Sequence, residues 1–220
     1  MRFALDAERF TSSKLAGVVD SESSPTLVSD GSNMKFGIIA LALSLIGGAI
    51  FITVPLLAYT AGPPPASTGG FGEPTCTRCH NSYDLNAGKT AKLGDLIVSG
   101  FPKQYEPNKT YAIKVEITHI QDRMYWGFQV ASRVKDTGAQ AGDLKKKDAN
   151  TQVLSEKGVQ YIEHTSEGIF NNVFEFTWVA PASAVGDVII DAAGNAANGS
   201  GDPSGDYIYS ASVTVPPISK

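Results

Sequence analysis

Cysteine is nearly absent from this chain of 220 residues, which holds two, beside three histidines and three methionines. Both cysteines fall within four positions, Cys76 and Cys79, so no disulfide framework can staple the fold. No second cysteine pair exists to complete a structural zinc site. Charge is sparse as well: Asp, Glu, Lys and Arg make up 18% of the residues and the net charge is −4, which leaves no nucleic-acid signature. No internal repeat is visible, and no convincing amphipathic helix follows the first sixty residues. A nucleophile and base constellation for hydrolysis is also lacking.

Both cysteines and one of the three histidines sit in Cys76-Thr77-Arg78-Cys79-His80. Cys-x-x-Cys-His is the attachment sequence of a c-type haem: two thiols add across two vinyl groups and the next residue offers an imidazole to the iron. A dithiol redox pair is the competing reading and calls for a βαβ context, whereas Gly70-Phe71-Gly72-Glu73-Pro74 reads as loop. The motif therefore predicts one covalently bound haem c, with Cys76 and Cys79 as thioethers and His80 as proximal ligand. A sixth ligand, or an open face for a small molecule, must complete the iron. His164, in a polar turn after an apolar run, is the first candidate; His119 and Met124 are the alternatives. Tyr125, Trp126 and Phe128 are candidate walls for the porphyrin, as are Tyr161 and Tyr207, although such aromatics also serve as core. Arg78 is a candidate propionate partner. Lys145-Lys146-Lys147, in a Gly/Asp-rich loop, reads as a solvated run or a steering patch for an acidic partner. Asn195, Asp202 and Asp206 read as turn chemistry, with calcium chelation as the alternative.

Residues 36–59 (FGIIALALSLIGGAIFITVPLLAY) carry no charge. At ~1.5 Å per residue such a run spans a hydrocarbon core of ~30 Å. A signal peptide has a shorter apolar region and a shorter lead-in, so a retained transmembrane helix is expected. Arg2, Arg9, Lys14 and Lys35 precede the span and no charge follows it before Glu73, which places the N-terminus inside. Haem is attached to thiols on the outer side of the bacterial cytoplasmic membrane, so the haem domain is expected to be periplasmic or extracellular. The expected organisation is a cytoplasmic tail (1–35), a single span (36–59), a Pro/Gly-rich tether (60–75) and a haem-binding domain (76–220). The lipid bilayer is then one partner and nucleic acid is not.

Beyond residue 93 the pattern has period two. Tyr111, Ile113, Val115, Ile117 and His119 share a face, as do Trp126, Phe128 and Val130, then Phe174, Phe176 and Trp178, then Tyr207 through Val215. Residues 93–99, 159–162 and 188–190 are further strands, and 194–206 reads as a long loop. About seven short strands separated by turns predict an all-β fold, an Ig-like antiparallel β-sandwich.

The run Phe176-Thr177-Trp178-Val179-Ala180-Pro181, with residues 191–199 and 204–209, resembles the Reeler-like, choice-of-anchor type domains of bacteria. Their Cys-x-x-Cys-His before the sandwich, a Gly-Phe-Gln like Gly127-Phe128-Gln129 and a His-Thr like His164-Thr165 match this sequence too. The resemblance covers residues 69–215 and implies an Ig-like sandwich bearing one haem, with His164 as a counterpart histidine. It departs at the anchor, which in those domains is often C-terminal. The architecture also resembles the membrane-anchored monohaem cytochrome subunit of homodimeric photosynthetic reaction centres.

The expected function is an electron carrier rather than an enzyme: a membrane-anchored monohaem cytochrome c serving an integral-membrane electron-transfer complex. A photosynthetic reaction centre is the first choice of complex and a respiratory complex the second. A haem enzyme or gas sensor, and an adhesion-type sandwich domain, are the alternatives from other classes.

Overall fold

Every alternating run in the sequence becomes a strand, and two polar segments join them. The computed structural model describes residues 59–219, so the tail 1–35 and all of the apolar span 36–59 but Tyr59 lie outside the described residues. Among the described residues no helix is long and apolar enough to cross a membrane. The strands, in chain order, are β1 (Gly94–Ser99), β2 (Thr110–His119), β3 (Tyr125–Val134), β4 (Asp143–Lys146), β5 (Thr151–Glu156), β6 (Val159–His164), β7 (Val173–Val179), β8 (Val188–Ala197) and β9 (Tyr207–Val215). They form two antiparallel sheets, β1-β2-β7-β4 and β5-β6-β3-β8-β9. The fold is an all-β sandwich.

Alternation puts one face of each central strand between the sheets. Ile113, Val115 and Ile117 from β2 and Phe174, Phe176 and Trp178 from β7 meet Phe128 and Val130 from β3 and Ile190 from β8 there. The Phe128 and Phe174 rings lie 4.4 Å apart, and the fully buried Trp178 donates its indole N–H to the Ala141 carbonyl at 2.9 Å. That bond matters because an unpaired buried donor would offset much of what burying the ring contributes.

Two expectations need correction. Lys145 and Lys146 lie in β4 rather than in a loop; β4 is an edge strand with Leu144 as its one buried residue, so its lysines hide the period. The expected long loop from Gly194 also begins later, because β8 runs on to Ala197. Gly194 is tolerated in that strand for a packing reason: a Cβ there would sit 3.0 Å from methyl carbons of Ile117 and Leu96 across the core.

Residues 61–74, expected to be a spacer, are strapped onto the five-stranded sheet. Gln152 donates to the Ala61 carbonyl at 2.6 Å, Gln129 donates to the Pro64 carbonyl at 3.0 Å, and Ser67 N–H donates to Gln129 at 2.6 Å. Further along, Glu73 accepts from Thr68, Tyr161 and Arg133. Beneath the strap lies Glu163, 1% exposed, accepting from Gln129 at 2.8 Å and Gln152 at 3.0 Å. Burial outweighs those two bonds and raises the Glu163 carboxyl from 4.5 to about 7.

The consequence for stability has a definite sign. Between about pH 4.5 and 7 the unfolded chain has lost the Glu163 proton while the folded chain keeps it, so stability falls as pH rises through that window. The expected loss is on the order of 3 kcal/mol. Thermal unfolding of wild type and Glu163→Gln from pH 4 to 8 checks this. The wild type should lose stability relative to the variant above pH 5, and parallel profiles would remove Glu163 as the cause.

Candidate functional site

Antiparallel pairing brings the start of β3, the end of β8 and the end of β6 to one end of the five-stranded sheet. A cavity of about 550 Å³ opens there. The sheet supplies Tyr125, Trp126, Gly127, Phe128, His164, Asn195 and Ala197; the entering chain supplies Tyr59, Thr60, Pro63 and Pro64; Asp206 closes the β8–β9 side. The Cys-x-x-Cys-His segment itself forms a further wall, with Ile169 and residues 199–202 beside it in the lining. Residues Cys76–Arg78 form a single helical turn, capped by Thr75, whose hydroxyl accepts from Thr77 N–H. The Cys79 and His80 N–H groups donate back to the Cys76 carbonyl at 3.2 and 3.0 Å. That turn directs Cys76, Cys79 and His80 to the same cavity.

Both cysteines are free thiols. Burial pushes the Cys76 thiol up to about 12, and the neighbouring Cys79 adds to the rise against the lowering effect of a backbone hydrogen bond.

The two histidines of the cavity are held by their Nδ1 atoms. His80 Nδ1 is 2.7 Å from Asp206 Oδ2, with Asp206 2% exposed. His164 Nδ1 lies 3.1 Å from the Phe128 amide nitrogen and 3.3 Å from the Phe128 carbonyl. Burial lowers the His164 pKa, more than backbone hydrogen bonds to Phe128 and Tyr59 raise it, which favours the neutral imidazole a metal requires. Gly127 is the floor under that ring: a Cβ there would sit 2.7 Å from His164 Cε1.

Of the other expected residues, Tyr125, Trp126, Phe128 and Arg78 line the cavity. His119 does not; it packs against Tyr207 at 4.8 Å, accepts from Gln121 N–H at 3.1 Å, and burial followed by Arg123 lowers its pKa. Met124 is 58% exposed and outside the lining. Tyr161 points to Glu73 under the strap, and Tyr207 stacks on Tyr83 at 4.2 Å. Among the described residues no group of three or more His, Cys, Asp or Glu is arranged to hold a bare metal ion.

The residues that sequence reasoning missed are Asp206 as the partner of His80, Gly127 as the floor for His164, and Pro63, Pro64 and Ile169 as walls. Asp206 is 126 positions from His80, and no local signal joins them.

The group implied by the motif fits the cavity. It needs two thiols and an imidazole, a second imidazole or an open face, and a largely apolar enclosure. The residues present supply each of these, and about 550 Å³ lies within the ~300–1,000 Å³ usual for cofactor pockets.

The model of the Reeler domain family matches residues 77–194. No curated protein matches the chain. Among solved structures, the chain is similar to the human F-spondin reeler domain, at 19% identity over 57% of this chain and 89% of that one, with a TM-score of 0.42. A second structure, the Reelin-N domain of F-spondin, is 22% identical over 57% of this chain and 86% of its own, with a TM-score of 0.41. A conjugative transposon lipoprotein from Bacteroides eggerthii is 13% identical over 56% and 95%, with a TM-score of 0.33.

Proposed function

The chain belongs to the Reeler domain family, and on that sandwich we propose a membrane-anchored monohaem c-type cytochrome that passes single electrons on the outer face of the membrane. One observation carries the reading: Cys76, Cys79, His80 and His164 line the same cavity. Bound there, the haem supplies reversible one-electron chemistry at iron.

The chain's own residues do the rest. Cys76 and Cys79 would hold the porphyrin by thioether bonds. His80 offers Nε2, since Nδ1 is engaged by Asp206. His164 faces the cavity from the sheet, its Nδ1 accepting the Phe128 N–H at 3.1 Å and lying 3.3 Å from the Phe128 carbonyl. Trp126, Phe128, Ile169, Pro63 and Pro64 exclude water from the pocket. Histidines held by their Nδ1 atoms and a largely apolar enclosure would keep reorganisation small when charge changes, which suits a carrier rather than a catalyst.

Tyr59 and Thr60 are walls of the cavity, and Tyr59 is also the last residue of the apolar run 36–59. Retained in a bilayer, that span would hold the haem at the membrane surface and raise its effective concentration for a neighbouring redox centre. The acceptor is therefore an integral-membrane complex, with a photosynthetic reaction centre ahead of a respiratory complex. Washed native membranes should retain the cytochrome, co-purify it with a larger complex and oxidise it on illumination or on substrate addition. Recovery of a soluble, processed protein beginning near Ala61 would overturn the anchored part of the reading.

A further inference from the structure

The haem reading leaves one buried group without a role: Asp206, in the connection between β8 and β9. Its carboxylate is 2% exposed, a burial that needs specific compensation. Asp206 Oδ1 accepts the Asn198 N–H at 2.9 Å, and Oδ2 is 2.7 Å from His80 Nδ1. The first contact fastens the loop and the second reaches a site residue. The other polar group near that nitrogen is Asn195, whose Nδ2 is 3.4 Å away, so the carboxylate is the closer partner.

We infer that Asp206 is a positioning residue for His80: it fixes the plane and tautomer of the proximal imidazole and, by accepting its Nδ1–H, favours ferric over ferrous iron. The inference rests on the haem reading above. If His80 binds iron through Nε2, its one remaining proton lies on Nδ1 and must be donated. A carboxylate acceptor draws that proton more strongly than a neutral carbonyl and makes the imidazole a better donor to iron. More electron density on the metal, and a negative charge beside it, both stabilise the higher oxidation state. His164 contrasts with this, since its Nδ1 lies against the Phe128 backbone, 3.1 Å from the amide nitrogen that donates to it and 3.3 Å from the carbonyl. The two histidines of the cavity are thus held unequally, and the one with a carboxylate partner is the one carried by the covalent motif.

The test uses the full-length protein matured with haem, as wild type, Asp206→Asn, Asp206→Glu and Asp206→Ala. Haem content by the pyridine haemochrome assay comes first. Wild type without covalent haem would sink the haem reading itself, whatever the variants do. With haem in place, equilibrium redox titration reads the inference. Asp206→Asn keeps the shape and a hydrogen-bond acceptor but removes the charge. It should shift the ferric/ferrous equilibrium at fixed applied potential about tenfold toward ferrous, which is a rise of about 59 mV for a one-electron couple. Asp206→Ala should shift it at least as far and broaden the ferric electron paramagnetic resonance signal as His80 loses its fixed plane. Asp206→Glu, which keeps the charge, should return the potential most of the way to wild type. A purely structural Asp206 would leave the potential of the Asn variant within a factor of two of wild type, and that result overturns the inference. Should the Asn or Ala variant fail to accumulate, the Glu variant and the Nδ1–H proton resonance of wild-type His80 remain decisive. A resonance without the downfield displacement of a strong carboxylate hydrogen bond would also refute it.

Discussion

His164→Ala should convert the ferric protein from low-spin to high-spin, whereas His119→Ala should leave the spectrum as it is. The size of the contrast follows from placement. His164 is buried at the end of β6, lies over Gly127 and lines the same cavity as the Cys-x-x-Cys-His turn. Losing its imidazole leaves no second nitrogen ligand among the cavity residues, because Met124 lies on the surface and His119 packs on Tyr207. A low-spin ferric state requires two strong axial ligands, so nearly all of the low-spin signal should disappear. Added imidazole should restore it by entering the vacated position. A low-spin spectrum that survives in His164→Ala and collapses in His119→Ala would mean that the sandwich presents the other histidine to the iron. A mutant that fails to fold gives neither result, and Gly127→Ala then provides the check. Its methyl group would meet the ring at 2.7 Å, displacing His164 while leaving its chemistry intact.

The second large effect is loss of covalent haem from Cys76→Ala with Cys79→Ala. These are the two cysteines of the chain, and both line the cavity. On denaturing gels stained for haem peroxidase activity, the wild-type band should stain and the double variant should not. Each single variant should retain one thioether and stain weakly. The sandwich should still form in the double variant, since its core is built from β2, β3, β7, β8 and β9 and neither cysteine belongs to it. A wild-type protein from cells with intact haem-attachment machinery that shows no stained band would leave the adhesion-type sandwich as the better account.

How much of this was legible in the sequence differs from element to element. The central strands announced themselves because each buries one face, so Ile113, Val115 and Ile117 or Phe174, Phe176 and Trp178 repeat every second residue. Strands β4 and β5 did not: β4 buries only Leu144 among lysines, and β5 fully buries only Thr151, so neither shows an apolar alternation. Cys76, Cys79 and His80 were legible because the spacing of one helical turn is written locally. His164 was within reach through its turn and a resemblance. Asp206 and Gly127 were beyond reach: each acts on a histidine brought to it by sheet pairing, and neither leaves a local pattern. The strap was read as a spacer because prolines and glycines favour extended chain in any context. Its docking depends on Gln129, Gln152 and Glu163, which lie far along the chain.

The central claim is that one haem, attached at Cys76 and Cys79, sits between His80 and His164. Near-infrared magnetic circular dichroism of the ferric wild-type protein tests it most directly, because the charge-transfer band of low-spin haem reports the pair of axial ligands. The account predicts one haem per chain with the band of bis-imidazole ligation. A histidine–methionine band, or a high-spin spectrum in the untreated wild type, would contradict it.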